Sequence, residues 1–340
     1  MKEKMTFAVV GAGLFGQVHL RAYAQHPQAD LKLVCDVSDK NLRKAKKTFN
    51  VAVCRDYRHV AADAEIDAVS VATPDFLHCE IVCAMLQAGK HVLVEKPLAT
   101  NTAEARRMVK AARDAGKVLM VDFHNRFNPP FVEAKKRIES GELGEPVMAS
   151  GRQANPLFVP LKMLPWASKS GPHWFLFPHL IDIVGWLLDR RVIRATAWGH
   201  RGILKSRGVD TWDAIQALLE YRDCSAIVET CWVIPDTLPK LVDFSVTLFG
   251  SKARIGINPL GPTINVSGPK RYEEPIVGAL MEAQGMFGGW MYGPANHFIN
   301  SVLAGRTPIC TAEDGFHNTA VICAIEESIR TDRTVEVETL

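Results

Sequence analysis

The sequence predicts an α/β protein. A doubly wound parallel sheet comes first, followed by a second α/β domain built on a largely antiparallel open sheet. Three observations carry this expectation. Up to about residue 125, short apolar and β-branched runs alternate with helical stretches. The first of those runs leads straight into Gly11-Ala12-Gly13-Leu14-Phe15-Gly16. Beyond Asn125 the alternation stops and strand-like segments dominate.

In order, residues 6–10 form the first buried strand and 17–25 the first helix. A strand over 31–35 ends at Asp36, and a lysine-rich helix covers 40–49. Residues 68–72 are another buried strand, closed by Thr73-Pro74. A helix over 76–87 stops at Gly89. The strand 91–94 runs into Glu95-Lys96-Pro97. Asn101 or Thr102 caps a helix that Gly116 closes, and 118–121 is one more strand. After the change of pattern, a helix over 127–141 begins near Pro129-Pro130. Strands are expected over 147–153, 194–200, 214–221, 225–232, 243–249 and 253–257. Helices are expected over 177–188, 294–304 and 313–330. The boundary rests on the pattern change: a dinucleotide-binding domain over 1–125 and a substrate and oligomerisation domain over 126–340.

Composition narrows the function. The chain has 340 residues, enough for about two domains. It carries 40 basic and 37 acidic residues, and neither part is basic enough to hold a polyanion by charge. A nucleic-acid partner is not expected. No run approaches the roughly 18 apolar residues of a membrane span, and no small-residue cleavage site follows the start, so a cytoplasmic protein is expected. The eight cysteines form no C-x-x-C pair and read as small buried hydrophobes. Cys79 and Cys83 could share a helix face. No Cys/His group has ligand spacing, so no metal is expected.

The glycine loop sits between a strand and a helix, with an acid 20 positions beyond Gly16. That arrangement binds a dinucleotide. Gly11 allows the tight turn, Gly13 lets the backbone approach a pyrophosphate, and Gly16 lets the helix pack against the sheet. Leu14 and Phe15 complete the loop at the helix start, where free N–H groups hold phosphate charge. Asp36 can bond a ribose 2′-hydroxyl and would repel a 2′-phosphate, so NAD is expected over NADP.

The glycine loop, Ala72-Thr73-Pro74 with His78, Ala88-Gly89-Lys90-His91-Val92 and Glu95-Lys96-Pro97-Leu98-Ala99 together resemble the Gfo/Idh/MocA oxidoreductases, the glucose–fructose oxidoreductase and inositol dehydrogenase group. Arg126-Phe127-Asn128-Pro129, Gly141-Glu142-Leu143-Gly144, His179-Leu180-Ile181-Asp182 with Trp186-Leu187-Leu188, and Ala312-Glu313-Asp314-Gly315 extend the resemblance over essentially the whole chain. It implies a Rossmann domain, NAD or NADP, and oxidation or reduction at a sugar-like carbinol. Thr73, Pro74, His78, Glu95 and Lys96 would line the cofactor. Lys96 would act on the reacting oxygen and His179 would transfer the proton. Asp182, three residues on, would orient His179 or bond a substrate hydroxyl.

One position departs from the resemblance. Many relatives carry an aspartate four residues before the histidine, where this chain has Phe175. His124, Asn125 and His173 are possible polar replacements. Trp166, Trp174 and Trp290 could stack on a sugar ring, and 288–293 reads as a mobile loop. An open sheet face favours a homodimer or homotetramer. The leading expectation is a dehydrogenase acting on a sugar, cyclitol or derivative. The alternatives are glycoside cleavage through transient oxidation and a non-catalytic dinucleotide and sugar sensor.

Overall fold

The computed structural model describes residues 4–261, 264, 266–267, 272–274, 276–283 and 286–340. The chain divides into two compact units. Residues 1–124, 280–319 and 340 form the first, and 125–279 with 320–339 the second. The sequence expectation assigned all of 126–340 to one domain. In the structure residues 280–319 group with the first unit.

The first unit alternates β1 (Met5–Val10), α1 (Leu14–Gln25), β2 (Ala29–Cys35), α2 (Asp39–Phe49), β3 (Ala52–Cys54), α3 (Tyr57–Ala62), β4 (Ala68–Val71), α4 (His78–Gln87), β5 (His91–Glu95), α5 (Thr102–Ala115) and β6 (Leu119–Asp122). The six strands are parallel, in the order β3-β2-β1-β4-β5-β6. The order reverses between β1 and β4, and open sheets of this kind bind ligands outside the strand ends at that point. The runs of Val, Ala and Leu in β1, β4 and β5 are buried on both faces, as helices on either side require. Phe7 stacks on Tyr23 at 4.3 Å, joining β1 to α1. The Asn101 side chain accepts the Glu104 N–H and caps α5, and Gly116 closes it at φ +61°. The short β3 and α3 were not expected. Three and six residues give too little periodicity, and their punctuation is local: the Asp56 carboxylate accepts the Arg58 N–H.

The second unit holds α6 (Pro129–Glu139), β7 (Pro146–Pro156), α7 (Pro172–Phe175), α8 (Phe177–Leu188), β8 (Arg194–His200), β9 (Ala214–Glu220), β10 (Ser225–Ile234), β11 (Asp243–Gly250) and β12 (Arg254–Ile257). The short strands β13 (Val266–Ser267) and β14 (Tyr272–Glu273) pair with each other. Next come β15 (Met281–Ala283) and β16 (Met286–Gly288), also paired, then α9 (Gly293–Leu303), α10 (Ala312–Thr331) and β17 (Val335–Glu336). The larger sheet runs β12-β11-β7-β10-β9-β8-β17. It is antiparallel except for β7 and β10, which are parallel. Residues alternate buried and exposed along β9 and β10, so one face is core and the other is open. Trp198 at 61% exposure and Ile227 at 56% lie on the open face.

The segment 288–293, expected as a loop, carries local structure. Gly288 ends β16, Trp290–Tyr292 forms a 3-10 turn, and Gly293 opens α9 with Pro294 in its first turn. None of the eight cysteines forms a disulfide; Cys35, Cys79, Cys83 and Cys310 are buried. Among the described residues no helix is long and apolar enough to cross a membrane.

Candidate functional site

The glycine loop is fixed by its own backbone. Gly11 adopts φ +91°, and a Cβ there would lie 2.4 Å from the Ala72 carbonyl oxygen. A Cβ on Gly16 would lie 1.9 Å from the Gly11 oxygen. Gly13 differs: a Cβ there would meet nothing within 4 Å. Two glycines close the turn, and the third leaves open a space for something outside the chain. Leu14 is exposed and Phe15 half-buried at the start of α1. The Asp36 carboxylate leans back onto this loop. It accepts the Ala12 N–H at 2.7 Å, the Ser38 N–H at 2.7 Å and the Asn41 amide at 3.1 Å. Carboxylate oxygens have lone pairs for a further donor such as a ribose hydroxyl.

Thr73 and Pro74 follow β4, against the Gly11 turn. His78 is fully buried, with ring nitrogens 2.8 Å from the Pro97 oxygen and 3.0 Å from the Thr73 oxygen. It ties the ends of β4 and β5 together rather than presenting a ring to a ligand. The Lys96–Pro97 bond is cis. Lys96 is buried, with its Nζ 5.9 Å from the centre of the Phe15 ring. Burial lowers the proton affinity of its ammonium, against the opposing charges of Glu95, Asp75 and Asp122. The Glu95 carboxylate bonds the buried His19 ring at 3.1 Å. His124 is buried between Phe15 and Trp290, and burial brings its pKa down to about 4, so the ring is neutral.

In the second unit, His179 sits on the first turn of α8 and is buried. Asp182 is gripped by Arg126: Nε donates to Oδ2 at 3.0 Å and a terminal nitrogen to Oδ1 at 2.6 Å, with both side chains buried. This two-pronged pair makes Asp182 a strut between α8 and the turn before α6. Asn125, in that same turn, is buried and accepts the Asn128 N–H on its backbone oxygen. His173 Nε2 donates to the Glu326 carboxylate at 2.7 Å. Phe175 packs beside Trp232 at 5.7 Å and Trp166 at 6.2 Å, against a cluster that includes Leu176 and Leu204. Trp174 is buried beside His173.

Sequence reasoning missed four residues. Arg126 stood only among the residues that carry the resemblance, and His19 was assigned no role. Gln153 and Thr230 lay within expected strands but were assigned no role. They are direct neighbours in the β7–β10 register, on the sheet face that α8 covers. They are 6% and 3% exposed, and the Gln153 Oε1 and Thr230 Oγ1 atoms have no hydrogen-bond partner among the described residues. Their alternation with apolar neighbours was visible, but which face of the sheet a helix would cover was not.

The strand order, the glycine cradle and Asp36 define a dinucleotide-binding α/β protein. The chain belongs to the Gfo/Idh/MocA oxidoreductases. Its residues 5–123 match the family profile described as an oxidoreductase family with an NAD-binding Rossmann fold, and 131–256 match the family's C-terminal domain. The first unit is therefore an NAD-binding Rossmann domain. The inositol 2-dehydrogenase of Salmonella typhimurium is 30% identical over 185 residues, 53% of this chain. That match spans only 54% of the relative's length. The myo-inositol 2-dehydrogenase of Thermotoga maritima is 26% identical over 98% of this chain and 99% of its own. The solved scyllo-inositol dehydrogenase of Lactobacillus casei, with bound NAD(H) and scyllo-inositol, superposes with a TM-score of 0.83. It does so at 21% identity, covering 98% of this chain and 99% of that one. At that identity the likeness is one of fold.

Proposed function

We propose that this protein is an NAD-dependent dehydrogenase that oxidises a secondary hydroxyl of a cyclitol or sugar ring. The observation that carries the reading is Lys96, a buried ammonium at the C-terminal end of a parallel strand in an NAD-binding domain. Bound NAD would supply the hydride acceptor. Gly11, Gly13 and Gly16 with the start of α1 would hold its pyrophosphate, and Asp36 its ribose. Lys96 donates a hydrogen bond to the reacting oxygen and stabilises charge there. His179 takes the hydroxyl proton at a ring nitrogen. Gln153 and Thr230 offer oxygens to the other ring hydroxyls. Phe175, which cannot accept a hydroxyl, suits a ring carbon without one. The open sheet face fits a homodimer or homotetramer in which a second copy covers it.

The test is a panel of inositols and sugars with NAD and with NADP, followed at the reduced-nicotinamide absorbance. The reading requires net NADH formation with at least one polyol, and none with a glycoside that is merely cleaved. Lys96→Ala and His179→Ala should each lower turnover 10²–10⁴-fold while NAD affinity changes little. Near-normal turnover in either variant removes that residue's role. A clear preference for NADP would overturn the part assigned to Asp36.

A further inference from the structure

Behind Lys96 lies a buried group of charges that the reaction, as described so far, does not use. Glu95 and Asp122 are direct partners in the parallel register of β5 and β6, so two carboxylates are buried side by side at the sheet's C-terminal edge. His19 reaches them from α1. Its Nε2 is 3.1 Å from Glu95 Oε1 and 3.3 Å from Asp122 Oδ2. Its Nδ1 is 3.0 Å from the hydroxyl of Ser70 on β4, which the Tyr23 hydroxyl also bonds. All five side chains are buried.

Burial by itself would discharge the ring, but the hydrogen bonds to Asp122 and Glu95 outweigh it and bring His19 up to about 9. Burial and the Glu95 charge push Asp122 up to about 6. Glu95 stays below its ordinary range in spite of burial, because His19 bonds it. Lys96 follows Glu95 directly in the chain. The charges acting on it are Glu95, Asp75 and Asp122, two of which His19 bonds; the buried His124 ring is neutral. How negative the site is at Lys96 thus depends on how much carboxylate charge His19 cancels.

We propose that His19 is a positioning residue for Lys96: clamped between Ser70 and the Glu95–Asp122 pair, its cationic ring fixes Glu95 behind the strand end and sets the net charge that Lys96 meets. The inference rests on the reading of Lys96 as the group at the reacting oxygen. It adds a reason for burying a histidine and two acids where apolar side chains would fill the same space.

The experiment follows the Lys96 ammonium directly. Protein carrying [ε-¹³C]lysine is titrated by NMR, with Lys96→Arg assigning the signal. Asp122→Asn removes one negative charge and should lower the Lys96 midpoint by about one pH unit. His19→Gln, made with both acids in place, removes the opposing positive charge but keeps an amide donor, and should raise the midpoint. If either variant leaves the midpoint unmoved or shifts it the other way, the proposal falls. Glu95→Gln, titrated in the same way, replaces Asp122→Asn if that variant does not fold. Turnover on the responsive polyol is recorded against pH in parallel. A Lys96 midpoint that shifts as expected in both variants while turnover ignores it upholds the charge cluster and defeats Lys96's part in the reaction.

Discussion

The glycine loop of the first unit and the 166–182 segment of the second are built from different materials. Around Gly11, Gly13 and Gly16 the working parts are backbone: a left-handed φ, two close approaches and an open space at Gly13. Between Trp166 and Asp182 the working parts are side chains, and most already hold one another. Arg126 takes Asp182, Glu326 takes His173, and Trp232 and Trp166 flank Phe175. A backbone cradle stays available to a ligand because nothing in the chain fills it. A side-chain site must be kept open against its own neighbours; among the described residues, Gln153 Oε1 and Thr230 Oγ1 are two buried oxygens that meet no such partner.

The Arg126–Asp182 pair gives the sharpest way to break this contrast. Arg126→Ala leaves a buried carboxylate uncompensated and should destabilise the protein by about 3–5 kcal/mol. Replacing both partners, Arg126→Met with Asp182→Leu, should recover most of that loss, because neither charge is stranded. Denaturant unfolding of the three proteins measures it. If the double variant is stable and still turns over substrate, Asp182 is a strut. If it is stable and inactive, the Arg126–Asp182 pair belongs to the chemistry.

The loop itself offers the next comparison. Gly16→Ala drives a methyl into the Gly11 carbonyl and should cost about 3 kcal/mol or more of stability. Gly13→Ala meets no atom of the chain, so the melting temperature should hold while NAD affinity falls. Calorimetry with and without NAD separates the two. Equal destabilisation by both would mean that Gly13 serves the fold and not the cofactor.

These two regions also differ in how far the amino-acid sequence disclosed them. The parallel sheet, the loop and Asp36 could be read because glycine spacing and strand periodicity are themselves the geometry. α8 matched its expected bounds, 177–188, for the same reason: its apolar positions repeat. Asp182 was legible as a residue on that helix but not as half of an ion pair, since Arg126 is 56 positions away and spacing says nothing about it. The same limit hid the charge cluster at His19, whose acids lie 76 and 103 positions further on. It also hid the parallel β7–β10 pair, because strand periodicity does not reveal which strand lies alongside.

A pH series tests the first unit. His19 has a raised pKa, about 9 in the fold against 6.5 unfolded, so its contribution is complete below about 6.5 and is lost as pH rises through 9. His91 and His124 are lowered by burial to about 4; their contribution is present above 6.5 and is lost as pH falls through 4. The melting temperature should therefore peak near pH 6.5 and fall on both sides. His19→Gln should flatten the alkaline side only. An unchanged alkaline slope in that variant would mean that the ring is not held in its charged form.

The smallest expected effect discriminates best for the second unit. Thr230→Val replaces a buried hydroxyl, whose oxygen has no partner among the described residues, with a methyl of nearly the same shape. No hydrogen bond within the chain is broken, so stability should hold or rise by about 1 kcal/mol, the cost of an unmet polar group being removed. Gln153→Leu makes the same exchange at the neighbouring register position. If these oxygens receive substrate hydroxyls, each change should raise KM several-fold, up to about tenfold, since a neutral hydrogen bond contributes roughly 0.5–1.5 kcal/mol. kcat should change less, because neither residue is assigned to the proton or the hydride. A rise in stability with KM unmoved would place the pair outside the substrate's reach. Substrate recognition would then fall to other groups than this pair.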